Sequence, residues 1–248
     1  MRVADIDWSI VPLVWAAIIV AAVLRSFTGF GFALVAVPVL ALFMPPAQVV
    51  VLSSALALTI GLLSLRSFYR LINWAQMLPL LLMSGLGTAV GALILASIPM
   101  TLFQLCVGLS VLAACLGIFV GRPERPLQWA GLPWLAGLLS GLMNGALAIP
   151  GPPMIVYTML TEFDPARSRA LLMAFFMASS ALALISFTVA GIVELQSVKY
   201  YLLAFPALFI GDKLGHYLFG RYGSDLYRRV VLLALAVLGV SITVRALL

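Results

Sequence analysis

The charged side chains of this sequence stand almost entirely at the ends of apolar runs about 20 residues long, the length that crosses a ~30 Å hydrocarbon layer as a helix. No residue from 71 to 121 carries a charge, and none from 26 to 65. Charged residues make up 9% of the 248, against about 25% in a soluble domain. No water-soluble fold hides that much apolar surface. The expected fold is therefore an all-α polytopic membrane protein, a single transmembrane domain over 1–248, with the bilayer as its solvent.

The net charge of +6 does not mark a nucleic-acid binder, because the 14 basic residues are scattered singly or in pairs at run ends and form no patch. Cys106 and Cys115 lie nine apart in one apolar run, about 13 Å along a helix and too far for a disulfide. Asp5 and Asp7 outweigh Arg2, so the first apolar run lacks the positive flank of a signal peptide and reads as a membrane segment.

Six runs read as simple spanning helices: Ala47 to Leu65, Met77 to Ser97, Thr101 to Val120, Ala170 to Ala190, Tyr200 to Phe219 and Leu226 to Leu247. Two more are interrupted. Glycines break the first from Arg25 to Gly31 (RSFTGFG), and glycine with proline breaks the second from Asn144 to Pro153 (NGALAIPGPP). A straight helix from Ile10 to Phe43 would run about 51 Å, too long for one crossing, whereas its halves at about 20 Å each are too short. Each broken run is therefore expected to be a re-entrant hairpin, with arms Ile10 to Leu24 and Phe32 to Met44, then Leu132 to Asn144 and Pro152 to Leu160. Non-helical tips at such depth must be covered by protein or by a wet cavity.

Charge supports the hairpins. They gather Arg66, Arg70, Arg122, Arg125, Arg167, Arg169, Arg221, Arg228 and Arg229 on one side, nine against Arg2, Lys199 and Arg245, with Arg25 and Lys213 inside. Eight plain crossings would give seven against five. The positive-inside bias then places both termini outside the cytoplasm, with Trp74 and Trp129 as interface anchors. A 120-residue shift lays Gly31 on Gly151, Pro45 on Pro165, Leu52 on Leu172 and Leu62 on Leu182; past a four-residue insertion, Gly87 and Gly91 meet Gly211 and Gly215. The expected plan is two inverted repeats, about 1–121 and 131–248, each a hairpin followed by three crossings, with a site near the midplane at the broken helices.

Arg25 is the sharpest single residue, a guanidinium after 15 apolar positions and just before a break. It reads as a partner for an anionic substrate, as a snorkelling side chain or as the fixed partner of an acid such as Asp212. The half-helices beginning after Gly31 and at Pro152 aim N–H groups and positive dipole ends at the tips, which suits an anion. Ser26, Thr28 and Asn144 either add donors to that anion or satisfy the broken backbone. Asp212 and His216, four apart on one helical face, are candidates for proton coupling; an ion pair of Asp212 with a nearby base is the alternative. There is no phosphate-binding loop, no metal-spaced cluster and no nucleophile elbow, so the sequence points to no cofactor, no metal and no enzyme.

The stretch from Arg25 to Pro38 (RSFTGFGFALVAVP), its counterpart from Ser140 to Pro153, and the Gly87/Gly91 and Gly211/Gly215 helices resemble the TauE/SafE family, the sulfite exporters among bacterial membrane permeases. The resemblance implies secondary transport of a small anion, sulfite or an organosulfonate such as sulfoacetate, by alternating access. It assigns binding to Arg25, Ser26, Thr28, Gly29 and Gly31 in the first tip and to Asn144, Gly151 and Pro152 in the second. Where the family commonly carries a run of glycines, this chain has proline at 150, 152 and 153. An anion channel and a partner-dependent structural or sensing subunit are the other classes open to such a chain; its oligomeric state is not legible.

Overall fold

A computed structural model describes residues 8–28, 31–119, 126–127, 129–222 and 239–244. These residues form an all-helical polytopic fold: α1 (Val11–Thr28), α2 (Phe32–Leu40), α3 (Pro46–Phe68), α4 (Trp74–Leu95), α5 (Met100–Phe119), α6 (Leu132–Leu147), α7 (Gly151–Thr161), α8 (Pro165–Val189) and α9 (Leu195–Tyr222), with a single 3-10 turn at Tyr69–Leu71. The expected last crossing lies outside the described residues except for 239–244, which are helical.

Helix starts follow local chemistry. Proline occupies the first turn of α3 and α8, where no intrahelical donor is needed. Asp164 caps α8 by accepting from the Arg167 N–H at 2.8 Å, and Asn73 caps α4 by accepting from Ala75 at 3.2 Å. Helices α3, α4 and α8 are long and apolar enough to cross a membrane. On α4, Leu78, Leu82, Leu86 and Leu93 form an exposed apolar stripe suited to lipid. Trp74 and Trp129 are exposed, as belt anchors require.

Both broken runs fold back on themselves. Helices α1 and α2 pack against each other, as do α6 and α7, and the Leu127 N–H just ahead of α6 donates to the Leu160 carbonyl near the end of α7 at 2.8 Å. Direction supplies a second argument. Gly61 lies against Met177, Phe68 clusters with Leu171 and Leu172, and Leu52 and Leu56 share a core with Ala183 and Phe187, so α3 and α8 are antiparallel. Since α4 and α5 reverse the chain in turn, α8 could oppose α3 only if α6 and α7 return to the side they left. Likewise Trp15 Nε1 donates to Leu203 O at 3.0 Å, Ala22 meets Gly211 and Ser26 meets Gly215, so α1 runs parallel to α9 and therefore along α3. Helix α2 must then return.

The arms are less equal than expected. Helix α1 continues past Leu24 to Thr28, 18 residues or about 27 Å, while α2 stops after nine at Leu40. Nothing in Arg25 to Thr28 breaks a helix, and an arginine in the last turn favourably meets the negative end of the helix dipole. Helix α2 ends at Leu40 and the chain passes through a turn to Met44, which Pro45 keeps from the helical conformation.

The closest packing is between α4 and α6 and between α1 and α9. Gly137, Gly141 and Gly145 of α6 sit on the backbone of Leu80, Ser84 and Thr88, while Gly87 and Gly91 of α4 sit on Leu138 and Leu142. In the other pair, Gly211 and Gly215 sit on Ile19, Ala22, Val23 and Ser26. Small residues let the backbones approach, so dispersion replaces the hydrophobic drive that lipid cannot provide. Ala22 and Ser26 lie 120 residues before Leu142 and Ala146, so the two pairs have the same register under the shift seen in the sequence.

The hairpins predict a labelling pattern. In a background with Cys106 and Cys115 replaced by alanine, Ser9→Cys and Pro45→Cys should react with a membrane-impermeant thiol reagent from one and the same face. Labelling from opposite faces would mean that α1 and α2 together cross.

Candidate functional site

The two tips meet α3 and α8 around a cavity of about 60 Å³, room for a few waters or one small oxyanion. Its walls are Arg25 from α1, Gly31 to Leu34 from the first tip, Ser54, Ala57, Ile60 and Gly61 from α3, Ala148 to Gly151 from the second tip, and Met173, Phe176, Met177 and Ser180 from α8.

The first tip is built as an anion end. Gly31, with φ 93°, takes the left-handed conformation that glycine adopts without strain, and it precedes α2 without a side-chain cap. The N–H groups of Phe32, Ala33 and Leu34 open the helix at the cavity wall, and first-turn N–H groups have no intrahelical acceptor. The second tip differs. Ala148, with φ 56°, ends α6, and α7 opens on Gly151, Pro152 and Pro153, again without a side-chain cap. Two of those three positions carry no N–H, so α7 offers one first-turn donor where α2 offers three. The prolines thereby concentrate donor chemistry at the first tip.

Arg25 carries the charge. Its side chain is 11% exposed; one terminal nitrogen donates to Ser64 Oγ at 2.9 Å and the other lies 3.5 Å from Asp212 Oδ1. That separation exceeds the roughly 2.7–2.9 Å of a tight charge-assisted hydrogen bond, so the ion pair is loose. Ser54 supplies the other polar feature: it is 2% exposed, it lines the cavity, and its Oγ has no hydrogen-bond partner.

The residues singled out in the sequence divide clearly. Arg25, Gly31 and Gly151 line the cavity. Ser26 does not: its Oγ donates to the Val23 carbonyl at 2.8 Å, on the side facing Gly215. Asn144 is buried and donates to the Ser179 carbonyl at 2.8 Å, tying α6 to α8, and Pro152 is buried behind Gly151 without lining the cavity. Asp212 is engaged with Arg25. Gly29 and the side chains of Thr28 and His216 lie outside the described residues. Sequence reasoning missed Ser54, Ser64 and the α8 wall. The 120-residue shift could have found part of it, because Ala57 with Met177 and Ile60 with Ser180 are repeat-related and all four line the cavity.

Comparison with the curated proteins and with the solved structures returns no match. Comparison with protein families matches residues 14–242, nearly the whole chain and both hairpins, to "Sulfite exporter TauE/SafE". An all-helical membrane fold with two broken helices meeting at one cavity is thus the architecture of a multi-pass membrane transporter, and the chain belongs to the TauE/SafE sulfite exporter family.

Proposed function

We propose that this transporter carries one small anion, sulfite or an organosulfonate such as sulfoacetate, in the cavity between the two tips, and exposes it alternately to either face of a bacterial inner membrane. The observation that carries the reading is convergence: a guanidinium and the uncapped start of α2 line one small space. A guanidinium and uncapped first-turn N–H groups beside a mostly apolar cavity fit an oxyanion better than a neutral solute. The common register of the α1/α9 and α4/α6 pairs supports two halves, 1–121 and 131–248, related as inverted repeats that rock about the site. Charge bias supports termini outside the cytoplasm. Proton coupling through Asp212 and His216 belongs to the same proposal, with Ser26, Asn144 and Pro152 as supports for the tips.

The test is flux of labelled sulfite and of labelled sulfoacetate into proteoliposomes, with and without an imposed pH gradient. Saturable uptake of either anion, competed by the other, is the expected result. No uptake by correctly folded protein would overturn the reading, and currents far above carrier turnover would make the protein a channel. Rates indifferent to the pH gradient would remove the proton from the scheme.

A further inference from the structure

Arg25 is held within the protein by a carboxylate at the position where, on the reading above, a substrate anion would compete for it. We propose that Asp212 is a resident surrogate for the transported anion: it neutralises Arg25 in the empty carrier, yields it when substrate enters, and so lets the empty carrier return across the membrane. This rests on the anion-carrier reading and adds to it a mechanism for net transport.

Three observations lead there. Arg25 is nearly buried and faces the cavity from one side while Asp212 approaches from α9 on another, so one guanidinium can serve two acids. The pair is looser than a tight ion pair, at 3.5 Å, whereas Arg25 is tied closely to Ser64 at 2.9 Å. Ser64 therefore holds the guanidinium in place more closely than Asp212 does, and Asp212 supplies the opposite charge. Lastly, the Asp212 side chain is 39% exposed, so protein packing does not lock it against Arg25 and it has room to move when an incoming anion displaces it. Helix α9 is also the element clamped to α1 through Gly211 and Gly215, one residue before and three after Asp212, so the exchange of partners takes place at the interface between the halves.

Consider the cycle without that carboxylate. A cation at membrane depth is tolerable while an anion sits on it and unfavourable when alone. An Asp212→Asn carrier would therefore bind substrate more tightly, having lost its internal competitor, and would be reluctant to reorient empty. Exchange of external for internal anion never visits the empty reorienting state, whereas net flux must.

The experiment compares labelled sulfite exchange with net sulfite flux in proteoliposomes, for wild type, Asp212→Asn and Asp212→Glu, alongside direct sulfite binding. Asp212→Asn should tighten binding about tenfold and raise the ratio of exchange to net flux about tenfold or more, with Asp212→Glu returning both towards wild type. A merely structural role would depress both fluxes together and leave their ratio unchanged, and that result, or unchanged binding, overturns the proposal. Absence of any saturable sulfite or sulfoacetate binding in the wild type overturns instead the carrier reading on which the proposal rests.

Discussion

Arg25→Gln should weaken saturable anion binding, and flux with it, by about two orders of magnitude while leaving a folded, membrane-inserted protein. A charge pair at about 4 Å is worth about 4 kcal/mol at an effective dielectric near 20, and Asp212 already offsets part of that, so a loss of roughly 100-fold in affinity, about 3 kcal/mol, is the reasonable size. Folding should survive because glutamine is neutral and leaves no cation at membrane depth, while the partner left behind, Asp212, is more than a third exposed and so is not sealed in the protein interior. Arg25→Lys separates charge from geometry. A lysine retains the positive charge but not the planar fork that lets Arg25 hold Ser64 with one nitrogen and face an acid with the other, so partial recovery is expected. The check is sulfite and sulfoacetate binding in detergent, with circular dichroism and a monodisperse elution profile as the folding control. Wild-type affinity in Arg25→Gln would mean that the guanidinium serves only Asp212 and Ser64, and would move the site elsewhere.

The elements were legible wherever the chain carries punctuation. The two breaks announce themselves in glycine and proline, whereas the starts of α4 at Trp74 and α8 at Pro165 precede the expected Met77 and Ala170, because Asn73 and Asp164 cap a polar first turn that hydropathy alone leaves out. The lengths of the arms were not legible, because nothing between Leu24 and Gly29 signals that a helix should stop early. The rotation of each arm was hidden too. Arg25 and Ser26 are adjacent and so point about 100° apart; one reaches the cavity and the other Gly215 of α9. Sequence separates the faces of a helix by polarity, and α1 is apolar nearly all round. Ser54 was anonymous for a related reason. A hydroxyl in an apolar helix ordinarily bonds the carbonyl one turn back, as Thr59 does with Ala55 and Ser110 with Cys106, and only packing reveals that Ser54 does not. The partner of Arg25 was foreseen as one alternative among three. What sequence could not supply was that Asp212 and the cavity share that guanidinium.

Gly141→Leu should cost at least ~3 kcal/mol and lower the melting temperature by roughly 10 °C. A Cβ added to Gly141 would stand 2.6 Å from the Ser84 Cα and closer still to the Ser84 carbonyl oxygen. Both atoms belong to backbone, so no rotamer change relieves the clash and the helices must separate. Separation is expensive along its whole length, because Gly137 and Gly145 one turn to either side, and Gly87 and Gly91 across the seam, make the same kind of contact. In lipid no hydrophobic gain compensates for the lost packing. The internal control is Gly85 on α4, where an added Cβ would meet only Leu182 Cδ1 at 3.9 Å, ordinary van der Waals contact. Gly85→Ala and Gly141→Ala gain the same helix propensity, about 1 kcal/mol, so their difference isolates the seam. Gly85→Ala should melt at or above the wild type and Gly141→Ala clearly below it, measured by thermal denaturation in one detergent. Equal melting temperatures would show that α4 and α6 are free to move apart. The α4/α6 seam, which joins the two proposed halves, would then be a surface on which they slide in the transport cycle.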